Sequence, residues 1–331
     1  MERAAPATAP PVLRLPRGLL ALYTLGALEA AVPLVAQVQW LDAHGVGQAQ
    51  QLRVFALGYA CFSLRPVYGA VADALAARYG SRGRVLAYVA ASCGGALCHC
   101  TLAVTRSLGA FAVGYALLCA CQACAETCLG ARLADVVASG VGAGRAQAEA
   151  TAARWLGTLL ASCVGFAMYR CDRAIPPPAT AFLAAAACPL VGVVVALAAS
   201  DTTPVTPKRD AQSPVPLLIA VQVACAWVSA KGALATTIWR VGGGGLFILI
   251  VVGALLGHRR TTTLEEPLLA AAEKPGLWRA GPFLVAVAAA PSASEVLANV
   301  RYERFHGRPC VLPLVQALGA LAAMLVCVGC A

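Results

Sequence analysis

Three carboxylates, Glu29, Glu126 and Glu295, fall inside long apolar runs of the chain. A charged side chain is costly in hydrocarbon, so such residues turn toward a bundle interior or a water-filled cavity. There they exchange protons, hold a solute or hydrogen-bond to a neighbouring helix. Tyr23, Gly26, Glu29, Pro33 and Gln37 recur three or four apart and therefore share one helical face. Cys119, Gln122 and Glu126 repeat the pattern, and Ser292, Glu295 and Asn299 form a third stripe. Together the stripes can line a central polar cavity in which Glu29, Gln37, Gln122 and Glu126 handle substrate or protons. The same residues equally serve as hydrogen-bonding glue between helices, and for Glu29 and Glu126 both uses stand open. For Glu295, close to a membrane face, the structural use is favoured. Arg154 and Trp155 are expected near the start of a span, reaching to the interface.

Other chemistries find no candidate site. No nucleophile–base set, Walker loop or dinucleotide fingerprint occurs, and the chain is not expected to be an enzyme or to carry a cofactor. Gly242 to Gly245 form a four-glycine run, but it lies in an apolar segment and no Lys-Ser/Thr follows. Cys119, Cys121, Cys124 and Cys128 lie within the apolar run 110–129, where cysteine packs as a small hydrophobe. Cys98-His99-Cys100 closes another apolar run and is read the same way. No Cys/His pairs have ligand spacing, so neither a metal nor a disulfide framework is expected.

The elements that must position the acids are membrane spans. Hydrophobic residues make up 60% of the 331 and charged residues 12%, with a mean hydropathy of +0.75. A soluble domain is about 25% charged, so this composition excludes an ordinary water-facing fold. The net charge of +10 is spread singly or in short clusters between apolar runs. That distribution excludes a nucleic-acid surface and follows the positive-inside rule. With about 20 apolar residues needed per crossing, spans are predicted near 18–40, 52–72, 85–105, 108–131, 149–170, 179–199, 214–230, 235–257, 280–298 and 310–330.

The fold class is thus all-α, a polytopic membrane helical bundle of about ten spans. The chain divides into a cytoplasmic N-terminal segment (1–17), a six-helix bundle (18–200), a cytoplasmic linker (201–213), an extra apolar helical pair (214–257), a second linker (258–277) and the start of a C-terminal bundle of two helices (278–331). A cleaved signal peptide is not expected, because the first apolar run continues past Gln37. Arg3, Arg14 and Arg17, then Arg78, Arg82 and Arg84, then Arg132 and Arg145, Lys208 and Arg209, and Arg259 and Arg260 occupy alternate connections, which assigns that side to the cytoplasm. Arg301 to Arg308 break the alternation. The membrane is the plasma membrane or that of an organelle.

One short connection carries a motif: Arg65-Pro66-Val67-Tyr68-Gly69, Asp73, Gly80-Ser81-Arg82-Gly83-Arg84 and Tyr88. It closes one helix and opens the next across a tight turn. Gly69 is expected to permit close helix approach, Gly80 to supply the turn backbone, and Asp73 to pair with Arg82 or Arg84. Such a charged turn can latch a bundle in one state and release it in another.

These residues resemble the cytoplasmic loop signature of the major facilitator superfamily. With the Pro-x-Tyr-Gly extension they look like the folate–biopterin transporter family. A second patch agrees: Leu277-Trp278-Arg279, Pro282-Phe283, Pro291-Ser292-Ala293-Ser294 with Glu295 following, and Tyr302 are similar to the start of that family's second half. A third agrees in part. Ala134-Asp135-Val136-Val137 looks like the family's acidic stretch, but Ser139 and Gly144 stand where two further acids are usual, with Arg145 retained.

The resemblance implies a secondary transporter for a pteridine- or folate-like small molecule, working by alternating access and coupled to protons through Glu29 or Glu126. In that reading Arg65 and Asp73 act in gating and not in substrate contact. It also implies a second half cut to two helices. The alternatives are a transport-incompetent relative acting as a membrane scaffold or binding protein, which would need a partner chain or a homo-oligomer, and a facilitator for another small solute. The expected partners are that small molecule and the lipid bilayer, with no nucleic acid.

Overall fold

A computed structural model describes residues 15–62, 64–169, 176–199 and 311–330. The apolar pair 214–257, the linkers 201–213 and 258–277, the predicted span 280–298 and the motif residues Pro282, Pro291, Ser292 and Glu295 lie outside the described residues. Every regular element among the described residues is a helix: α1 (Arg17–Ala31), α2 (Leu34–Ala43), α3 (Gln48–Phe62), α4 (Arg65–Tyr79), α5 (Ser81–Val104), α6 (Leu108–Ala138), α7 (Ala143–Met168), α8 (Pro178–Ala198) and α9 (Val311–Cys330). Among the described residues, five segments are long and apolar enough to cross a membrane: 17–43, 82–104, 108–138, 143–168 and 178–198. Leu97, Val104, Val113, Val194 and Val326 each expose more than half of their surface. Apolar spans with an apolar exterior make this an integral membrane protein.

The boundaries differ from the sequence reading in instructive places. The first span runs through α1 and α2 but breaks at Pro33. Proline has no N–H, so the bond that residue 33 would donate to the Glu29 carbonyl cannot form. The predicted span 52–72 is two 15-residue helices, α3 and α4, separated before Pro66. Each is about 22 Å long at 1.5 Å per residue, short of a full hydrocarbon crossing of about 30 Å. Helix α6, with 31 residues, continues to Ala138, a turn and more beyond the predicted end at 131. It starts cleanly because the Ser107 side chain accepts from the Ala110 N–H at 3.3 Å. Helix α7 opens at Ala143, not 149, so Arg154 lies eleven residues inside it and not at its start.

Small residues set the helix packing. Along α7, Ala146, Ala150, Ala153, Gly157, Ala161 and Gly165 form one buried stripe. A Cβ on Gly157 would collide with the Thr24 carbonyl of α1, and one on Gly165 would press on Pro313 of α9 at 3.2 Å. The Thr24 hydroxyl reaches the carbonyls of Leu20 at 3.0 Å and Ala153 at 3.1 Å, tying α1 to α7. Close backbone approach and interhelical hydrogen bonds are what hold helices together where lipid removes the hydrophobic drive. The main pairings are α1 with α7 and α8, α5 with α4, α6 and α8, α3 with α6, and α9 along α7.

The core is layered. One cluster joins Leu15, Leu19, Leu22 and Tyr23 with Ala72, Val85, Tyr88, Leu129, Leu133, Val136 and Ala196. A second joins Ala36, Trp40 and Leu41 with Leu102, Phe111, Tyr115, Leu118 and Phe182. Within it Trp40 stacks on Phe111 with ring centroids 4.2 Å apart. Between the two clusters lie the buried polar residues Glu29, Ser92 and His99 and a small third cluster of Val32, Ala161 and Ala185. Arg17, Arg78, Arg82, Arg84, Arg132 and Arg145 flank the first cluster, whereas Arg53 and Arg106 flank the second.

Candidate functional site

At the arginine-rich end, the short connection between α4 and α5 is built as its residue types require. Gly80 takes φ 64° and ψ −148°, a left-handed region that favours glycine. It ends α4 and starts α5 with no intervening loop. Gly83, one turn on, lies directly against the Leu75 carbonyl, where a Cβ could not fit. This folding-back delivers Arg84 to two acids at once. Its guanidinium contacts Asp73 of α4 at 2.9 Å and pairs closely with Asp135 of α6. Of the two expected partners for Asp73, the structure selects Arg84, while Arg82 points out as an exposed residue. Asp135, seen in the sequence only as part of the partly matching acidic stretch, is thus the third member of the clamp. The same end is tied further by Glu149, which accepts from the Leu15 N–H at 3.1 Å and from Arg145 Nε at 2.8 Å. Arg132 donates to the Ala199 carbonyl at 3.3 Å.

The packing role expected of Gly69 is not required. A Cβ there would meet Thr127 Cγ2 at 3.6 Å, an ordinary contact. Tyr68, from the same motif, is half-buried on α4. Pro66 serves at the first turn of α4, where its missing N–H has no helical partner in any case.

Deeper in the bundle, charged side chains from three helices meet a tyrosine from a fourth. Arg65, at the start of α4, pairs with Glu126 of α6. Arg154 of α7 lies over the Tyr23 ring of α1, 4.9 Å from its centroid. Arg65 also lies 5.2 Å from the centroid of Phe62. Tyr23 is within electrostatic reach of both Arg154 and Glu126. Arg65 and Glu126 are half-exposed, with side chains 50% and 37% open, so this pair lines an accessible face of the bundle, with Tyr23 buried behind it at 3% exposure. The group combines two guanidinium groups, one carboxylate and an aromatic ring. A planar organic anion is met chemically by such a set: guanidinium bonds a carboxylate in a fork, and rings stack.

A second polar group is enclosed. Glu29 is 8% exposed and His99 of α5 is fully buried. His99 Nε2 stands 3.4 Å from Glu29 Oε1, and Gln122 Nε2 of α6 donates to the same oxygen at 3.4 Å. Neither ring nitrogen of His99 has a hydrogen-bond partner of good geometry. Gly95 closes the other side, since a Cβ there would come within 3.2 Å of Glu29 Oε1. Tyr88 shares a hydrogen bond with buried Ser92 on the same helix.

The structure brings Glu29 and Gln122 together and directs Glu126 to Arg65. Gln37 is buried beyond the Pro33 break, about 12 Å further along the helix than Glu29. His99 was missed because its two flanking cysteines invited a packing reading. The signal was present: Tyr88, Ser92, Gly95 and His99 recur four, three and four apart, the spacing that marked the stripes on α1 and α6. Arg154 was missed because its helix was expected to begin later. Among the described residues no group of three His, Cys, Asp or Glu side chains is placed to hold a metal. No protein-family model matches the chain, and comparison with curated proteins found no match.

Proposed function

We propose that this protein is a secondary active transporter for a pteridine- or folate-like organic anion, working by alternating access and coupled to protons. The observation that carries the reading is the pairing of Arg65 with Glu126 on an accessible face, with Arg154 over the buried Tyr23 ring beside it. Charged side chains inside a bundle of spans are expensive and mark solute or ion pathways. A pair such as Arg65 and Glu126 can open to receive an anion: the substrate carboxylate replaces Glu126 on the guanidinium, and Glu126 is left to take a proton. Phe62, whose ring lies beside Arg65, supplies a flat surface for a heteroaromatic ring. In this reading Arg65 meets substrate as well as gating, a wider role than its motif position implies.

The clamp of Arg84 with Asp73 and Asp135 is the gate. It ties α4, α5 and α6 together at one end and must break for that end to open. The arginine-rich end is the cytoplasmic one by the positive-inside rule, and the chain crosses the membrane many times in a layout like the major facilitator superfamily, with about ten spans in all. Helices broken at mid-depth, as α1–α2 and α3–α4 are, are a common way for transporters to build a binding site.

A scaffold or binding role is supported by one detail. The Ser139 hydroxyl donates to the Val136 carbonyl at 2.7 Å and so finishes α6 locally, at a position where the family that the motif resembles keeps an acid. Uptake in proteoliposomes under an inward proton gradient separates the two. Transport predicts accumulation of a pteridine or folate that collapses in Glu126→Gln and falls in Asp73→Asn. Binding without accumulation, unchanged by the gradient, overturns it.

A further inference from the structure

We propose that Glu29 and His99 form a proton-carrying pair inside the bundle, separate from the Arg65–Glu126 face, which releases its proton when α1 moves away from α5. Three observations converge on it. The two side chains come from different helices and approach to 3.4 Å. Both are enclosed, Glu29 at 8% exposure and His99 at 0%. His99 has unused hydrogen-bonding capacity on both nitrogens, an uncommon state for a fully buried polar ring.

With one proton between them the pair is neutral, either as carboxylate with imidazolium or as carboxylic acid with imidazole. Losing that proton leaves a bare carboxylate in apolar surroundings, which is strongly disfavoured. The groups facing Glu29 do not remedy this. They are Tyr88 and Cys98 on α5, Cys121 and Gln122 on α6 and Cys188 on α8. None carries a permanent charge, and Gln122 alone among them donates a hydrogen bond to Glu29. Glu126 is engaged with Arg65, and Arg154 with Tyr23. The proton is therefore held while the layer is closed and is released once water reaches Glu29. The Pro33 break, one turn beyond Glu29, is the place where α1 can bend away from the layer without breaking a full helical ladder. The pair would then bind and release one proton per opening. That coupling to substrate rests on the transport reading, whereas the pair itself does not.

The test uses the full-length protein in lipid nanodiscs without substrate. The chain has four histidines, so isotope labelling of the imidazole nitrogens yields a small set of magnetic-resonance signals, and loss of one in His99→Gln assigns it. Infrared difference spectra follow the Glu29 carbonyl band, assigned by its loss in Glu29→Gln. Spectra run from acid to alkaline pH, through and beyond the range in which a free histidine changes charge. The pair predicts one shared midpoint for the His99 signal and the Glu29 band, and a His99 that stays neutral across the range in Glu29→Gln. Two midpoints, or a His99 signal that titrates in Glu29→Gln as in the wild type, overturns the proposal. If Glu29→Gln does not fold, the band is assigned by its shift in Glu29→Asp, and the wild-type midpoints decide. Failure of pteridine uptake with a shared midpoint intact refutes the transport reading only, and uptake with separate midpoints refutes only the pair.

Discussion

The arginine at position 84 serves two acids unequally, and burial decides which matters more. Arg84 is 16% exposed, Asp135 31% and Asp73 64%. Water screens the Asp73 contact, so its loss in Asp73→Asn should lower stability by under about 1 kcal/mol. Asp135→Asn removes the more enclosed charge-assisted bond and should cost about 1.5–3 kcal/mol. Thermal unfolding of the two variants in one detergent checks the order, and an equal or reversed loss contradicts the clamp as drawn. Arg65 and Glu126 are expected to behave differently, because in the proposed transport their pairing is exchanged for substrate. Glu126→Gln should therefore leave the thermal midpoint nearly unchanged while reducing uptake at least about tenfold, a change worth about 1.4 kcal/mol in the barrier. The clamp was half legible in advance: Asp73 and the paired arginines are neighbours in sequence, whereas Asp135 is fifty-one residues from Arg84 and only the packing of α6 brings it in.

Among the elements, two glycines that look alike in sequence do different things. Gly157 touches the Thr24 carbonyl of α1, so Gly157→Ala should destabilise the α1–α7 contact by about 1–3 kcal/mol. Gly69 has room for a methyl, and Gly69→Ala should be neutral or stabilise α4 by up to about 1 kcal/mol. Melting temperatures measured side by side discriminate the two. Pro33 gives a third expectation. Pro33→Ala restores an N–H to the Glu29 carbonyl, so α1 and α2 should join into a straighter helix. The protein should then melt higher yet transport more slowly, with the maximal uptake rate falling and the half-saturation concentration little changed. A variant that both melts lower and transports as well as the wild type counts against a hinge. The existence of α1, α5, α6, α7 and α8 follows from apolar runs alone. Their ends moved by up to seven residues because polar residues such as Arg132, Asp135 and Glu149 can continue a helix past the hydrocarbon when partners meet them there.

Among the described residues, two large apolar clusters lie toward the ends of the bundle, and between them a small third cluster of Val32, Ala161 and Ala185 sits beside the buried polar groups. That division suits a transporter, which must hold its ends closed by turns and keep its reactive groups away from them. The uneven spread of arginine between the two ends gives a topological prediction. Gly45 and Gly140 both take positive φ at tight turns on opposite ends, at 67° and 113°. A protease site inserted beside Gly45 should be cut from outside intact cells, and one beside Gly140 only after the cells are opened. Cleavage of both from the same side would refute the arrangement.

Composition and apolar run length alone determined that lipid is the solvent and that the chain is helical, because the penalty for an unpaired backbone in hydrocarbon leaves few other solutions. Helical spacing alone also placed Glu29 and Gln122 on faces that could meet. Which acid faces which base was decided only by the tertiary structure. Pairing across helices depends on rotation and depth, and those come from the small-residue contacts at Gly157 and Gly83 and the break at Pro33. For that reason Glu126 belongs with Arg65, Asp135 with Arg84, and His99 with Glu29.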